Sequence, residues 1–102
     1  MKPKMARSSG NVFRGLGFSS EEAEHLRICS LLIVHLRRLI EARGLNQSDA
    51  AKLFGVTQPR VSDLVHGKID LFSIDALIDM LARAGVRVTL TLSPSRRKLR
   101  VA

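Results

Sequence analysis

The sequence predicts an all-α domain of four main helices, followed by one short C-terminal β-strand that serves association. Three observations support this. Apolar residues recur with a period near 3.6 in four segments between positions 19 and 85. Each segment opens at a Ser, Asn or Thr and closes at Gly44, Gly55, Gly67 or Gly85, the residue types that cap helix starts and stops. After Gly85 the period falls to two, with Val86, Val88, Leu90 and Leu92 alternating with Arg87, Thr89, Thr91 and Ser93.

Residues 1–18 read as a flexible basic arm, punctuated by Pro3, Ser8-Ser9-Gly10, Gly15 and Gly17. Val12, Phe13, Leu16 and Phe18 are apolar enough to pin it to the body. The domain proper is expected over 19–92, with the strand at 86–92 and a basic tail at 93–102. Ser19 or Ser20 caps the first helix, and Glu21, Glu22 and Glu24 suit the positive end of its macrodipole. Leu26, Cys29, Ile33, Leu36 and Ile40 form its inward stripe. Ile28, Leu31, Leu32 and Val34 widen that stripe beyond one face, so this helix needs a second surface to pack on.

Asn46 caps a short second helix holding Ala50, Ala51, Leu53 and Phe54, with Asp49 as a capping-box-like partner. Thr57 caps the third, where Pro59 occupies an early position that needs no amide donor, and Val61, Leu64 and Val65 face inward. Ser73 caps the fourth, with Ile74, Leu77, Ile78 and Leu81 as its core face and a Phe72–Leu77 staple. A single strand in a helical chain has no backbone partner. The 86–92 strand therefore pairs with its twin across a two-fold axis or adds to the edge of another protein's sheet.

Composition narrows the function. The net charge is +8, from 17 basic and 9 acidic residues. Lys2, Lys4, Arg7 and Arg14 lie in one tail and Arg96, Arg97, Lys98 and Arg100 in the other, so all the excess sits outside a neutral body. Such tails fit DNA-seeking arms and solvated ends equally well, and bulk basicity does not by itself assign a nucleic-acid partner. No apolar run reaches the roughly 18 residues of a membrane span, and no apolar stretch follows the basic N-terminus, so neither membrane residence nor a secretory signal is expected. A lone cysteine, Cys29, fits a reducing compartment, and the bacterial cytoplasm is the expected location. His25 and Cys29 stand i, i+4 but are too few for a metal site, and no cofactor is expected. No nucleophile elbow, P-loop or dinucleotide fingerprint occurs, so the chain does not read as an enzyme.

The informative stretch is 45–68. Ala51 is small where a second helix must cross closely, Gly55 permits a left-handed turn, Val56 buries the turn, and Val61 and Leu64 hold the third helix on the second. With Gln47, Ala51, Gly55-Val56-Thr57, Val61-Ser62, Leu64 and Gly67 at their spacings, this segment resembles the Cro/lambda-repressor-like (XRE) helix-turn-helix family. The 72–85 helix resembles it more loosely.

The resemblance implies a sequence-specific, autoregulatory repressor that binds a pseudo-palindromic operator in double-stranded DNA as a homodimer, with 57–66 entering the major groove. Gln58 is then the first choice for base readout, through a bidentate pair with adenine. Arg60 is either a guanine reader or a phosphate clamp. Asp63 either accepts from a cytosine amine or orients Arg60. Thr57 and Ser62 offer hydroxyls, and Gln47 holds a backbone phosphate at a helix start. Lys52, His66 and Lys68 are further phosphate candidates. Pro59 departs from the family, whose members often present a polar base-reading side chain there.

The 12–19 segment before a long first helix, the 68–73 link and the terminal strand also resemble the HigA-like antitoxin branch. The alternative that branch implies is an antitoxin that neutralises an RelE-like ribonuclease toxin by direct binding, with Val86, Val88, Leu90 and Leu92 as the partner strand.

Overall fold

A computed structural model describes residues 16–94, and most of the expected arm, with Val12 and Phe13, and the tail from Ser95 onward lie outside them. The described residues form four α-helices and one 3-10 turn, joined by short links and followed by an irregular segment: α1 (Ser20–Ala42), α2 (Gln47–Phe54), α3 (Gln58–Val65), the turn Ile69–Leu71, and α4 (Ile74–Arg83).

Each helix starts where its capping residue dictates. The Ser19 hydroxyl accepts from the Glu22 amide at 3.1 Å and the Glu22 carboxylate accepts from the Ser19 amide at 3.1 Å, a complete capping box. The Asn46 side chain accepts from the Asp49 amide at 2.7 Å, and the Ser73 hydroxyl from the Ala76 amide at 3.1 Å. The Thr57 hydroxyl takes the Arg60 amide at a longer 3.4 Å. At the far ends, an Arg43 guanidinium N–H donates to the Ala84 carbonyl at 3.2 Å, tying the end of α1 to the end of α4.

α1 packs along α4 and the 3-10 turn, while α2 packs against α3 and α4. The core lies where they meet, with Leu36, Phe54, Val61, Leu64 and Leu77 at most 1% exposed. Burying each leucine contributes roughly 1.5–3 kcal/mol. On α1, Cys29, Ile33 and Leu36 are buried as expected, joined by Ala23, while Leu26 and Ile40 are half-buried. On α4 the inward face is Leu77, Met80, Leu81 and Ala84, with the expected Ile74 and Ile78 only half-buried at its margins. The flexible Met80 side chain occupies the i+3 place beside Leu77. Phe72 and Leu77 are both in the core, consistent with the staple.

The C-terminal segment departs from expectation. No strand forms among the described residues, and 86–94 carry no regular secondary structure. The Val86 amide donates to the Leu81 carbonyl at 2.9 Å, and no backbone hydrogen bond links 87–94 to any other described residue. The physical reason is that no second extended segment completes a ladder with it among the described residues. The side chains alternate only at the start. Val86 and Val88 pack on the core, whereas Leu90 and Leu92 are 74% and 91% exposed. Leu31 and Val34, part of the widened stripe of α1, are also exposed.

Candidate nucleic-acid interface

Two eight-residue helices, α2 and α3, are joined by three residues, Gly55 to Thr57. The connection is this short because Gly55 adopts φ +70°, ψ 35°, which reverses the chain while the Gly55 and Val56 amides both return to the Ala51 carbonyl. Ala50 and Ala51 are buried beneath the crossing, and Val56 packs on the core as the sequence implies.

Gly55 has a second constraint that the sequence does not announce. The Arg83 side chain, from the end of α4, lies across the turn, and a Cβ at Gly55 would come within 2.7 Å of its Nε. We expect Gly55→Ala to cost about 1–2 kcal/mol, most of it from the left-handed backbone, because a long arginine can move aside. Thermal melts of the single variant and of Gly55→Ala with Arg83→Ala check this. Full recovery in the double variant would assign the cost to the clash instead.

The end of α3 expected to face bases is free of protein cover. Thr57, Gln58 and Pro59 are exposed, with Gln58 as the first helical residue and Ser62 half-buried one turn further on. Gln47 is exposed at the first position of α2, and Lys52 is exposed in its last turn. The first turn of α3 contains no acidic residue, whereas α1 has Glu21 and Glu22, α2 has Asp49 and α4 has Asp75. The partial positive charge of this helix start is therefore left unneutralised by its own side chains, which suits an approaching polyanion.

Arg60 and Asp63 do not pair with each other. The Arg60 guanidinium stacks over the Phe72 ring, 4.3 Å from its centroid, and donates through Nη1 to the Leu71 carbonyl at 3.0 Å. Both contacts tie α3 to the segment that leads into α4, and they hold the guanidinium plane in one orientation. Nothing in sequence spacing announces a contact across twelve positions. Asp63 instead lies 3.7 Å from the Lys68 ammonium, a loose surface pair worth at most about 1 kcal/mol.

His66, the C-terminal cap of α3, places Nδ1 2.7 Å from the Ser62 carbonyl oxygen and 3.4 Å from its hydroxyl. A carbonyl only accepts, so Nδ1 holds the ring proton and Nε2 is the unused edge.

Elsewhere the chemistry is structural. Cys29 is fully buried, and burial pushes its thiol pKa up, which keeps it protonated. Its Sγ lies 4.0 Å from His25 Nδ1, and among the described residues no three His, Cys, Asp or Glu side chains gather as metal ligands. The Arg27–Glu24 pair on α1, 2.6 Å long, holds the Glu24 carboxyl below its ordinary range through a side-chain hydrogen bond. No helix among the described residues is long and apolar enough to cross a membrane.

Against this geometry, the sequence matches the family model of a helix-turn-helix domain over residues 16–93. No curated protein matches the chain.

Proposed function

The chain belongs to this helix-turn-helix domain family, and from that premise we propose that it is a sequence-specific transcriptional repressor acting as a homodimer on a pseudo-palindromic operator, its own promoter included. The observation that carries the reading is the exposed, acid-free start of α3, presented by the tight turn at Gly55. Short polar side chains there meet base edges, with Gln58 foremost and Thr57 and Ser62 beside it. Pro59 fixes the backbone of the first turn and contributes an apolar surface that suits a thymine methyl. Gln47 and Lys68 meet the flanking phosphates, whereas His66, with its proton on Nδ1, offers only an acceptor at Nε2 and does not. Arg60, braced on Phe72, sets the tilt of α3 and directs its remaining N–H groups to the backbone.

Dimerisation follows from what one chain leaves unfinished. Residues 87–92 have no backbone pairing among the described residues, with Leu90 and Leu92 in solvent. Antiparallel pairing of two such segments completes the ladder and covers the leucines. The two α3 helices then sit about one DNA turn apart, roughly 34 Å. The same unpaired edge favours the second reading, an antitoxin whose 86–92 segment adds to the sheet of a small ribonuclease toxin. A toxin gene next to this one, and a co-purifying complex of the two products, would select it.

Gln58→Ala tests the readout directly. Operator affinity should fall by about 1–3 kcal/mol, with relaxed preference at one base position and little change on scrambled DNA. Equal losses on both DNAs would move Gln58 to the phosphate backbone.

A further inference from the structure

We propose that Arg37, on α1, forms with Lys68 a phosphate-binding pair at the C-terminal end of α3, so that the long first helix is part of the DNA-contacting surface. The inference rests on the DNA-binding reading above and extends it to an element outside the helix-turn-helix. Thirty positions separate Arg37 from Gly67, yet Arg37 Nη1 lies 3.9 Å from the point a Cβ on Gly67 would occupy. Gly67 itself has φ +71°, so this turn keeps no side chain between the guanidinium and the loop.

Arg37 is exposed and has no carboxylate partner among the described residues. Lys68 projects beside the same turn with its side chain 57% exposed, partly offset by Asp63. His66 stands one position before Gly67 and Asp70 two after Lys68, both exposed. Arg37 and Lys68 stand against Asp63 and Asp70 around this turn, so the named charges balance, and Arg37 is the cation there that no carboxylate among the described residues holds in an ion pair. A competing role exists, because α3 has no basic residue in its own last turn and Arg37 could simply offset the negative end of its dipole. The arginine side-chain hydrogen bonds among the described residues belong to Arg27, Arg43 and Arg60, so within them the Arg37 donors are left to a planar, bidentate acceptor such as a phosphate.

The experiment compares wild type, Arg37→Gln and Arg37→Lys in the full chain, binding labelled operator and scrambled duplexes from low to moderate salt. A phosphate contact in Arg37→Gln is lost on both DNAs alike. The slope of log K against log salt should become shallower by about 0.9, equivalent to roughly 8-fold in affinity at 0.1 M salt relative to 1 M. Arg37→Lys, which keeps the charge, should retain most of the slope. Melting temperatures should agree across the three proteins. An unchanged slope in Arg37→Gln overturns the inference, and a lowered melting temperature with that unchanged slope assigns Arg37 to the α3 dipole. If wild type shows no salt-dependent DNA binding at all, the DNA-binding reading fails first and the inference with it.

Discussion

Replacing Leu90 and Leu92 together by aspartate should abolish the proposed homodimer and lower operator affinity by roughly 10²–10⁴-fold, the gain that linking two binding units provides. These two positions are the right ones because they are 74% and 91% exposed in the single chain, so charge there costs the monomer little. Aspartate in place of Val88 would be a poorer test, since Val88 packs against the core and its loss would mix folding with association. In the paired state each leucine would face a partner strand. Two aspartates on each chain would then repel their counterparts across the two-fold axis and strand a buried charge. Light scattering gives the mass and anisotropy the affinity, while helical circular dichroism should stay at the wild-type level. A variant that remains dimeric would remove this segment from the interface and turn attention to Leu31 and Val34 on α1.

Phe54→Ala should cost about 3–5 kcal/mol, the range for a truncated buried aromatic ring. Small domains have only about 5–15 kcal/mol of stability, so much of it would be lost, and the melting temperature should drop by on the order of 20 °C. Phe54 is 1% exposed and is the last residue of α2, directly before the Gly55 turn. It is therefore the anchor through which α2 is held on the core and the turn is held in place. Urea denaturation gives the measurement, and operator binding near the new midpoint should fall in step with the folded fraction. A loss below about 1 kcal/mol would mean that the ring can leave the core without consequence, contrary to its burial.

Helix boundaries are readable from this sequence because each one has its own punctuation. Ser19 with Glu22, Asn46, Thr57 and Ser73 are short-range devices that act within three residues, and Gly44, Gly55 and Gly67 all take the left-handed conformation that a helix stop requires. The inward faces of α1 and α3 are equally legible from spacing. Contacts across the chain are not. The stack of Arg60 on Phe72, the Arg43 bond to Ala84, the Arg83 cover on Gly55 and the approach of Arg37 to Gly67 all depend on how helices cross, which no local pattern encodes. The α3 i+3 spacing points to an Arg60–Asp63 pair, but the ring of Phe72 and the Leu71 carbonyl offer the guanidinium a better-shielded place. The 3-10 turn at Ile69–Leu71 lacks a side-chain cap and has no sequence signature. The alternation after Gly85 reads as an extended segment, but a strand is a property of two segments, and no second one pairs with it among the described residues.

The most direct test of the central claim is fluorescence-anisotropy binding of the full chain to the DNA upstream of its own gene, against a scrambled duplex, at several salt concentrations. A preference of 10³-fold or more, with a slope of several phosphates, is the result expected of a specific repressor. Weak binding of equal strength to both duplexes would contradict it and leave the unpaired 87–92 edge, and the protein that covers it, as the centre of the function.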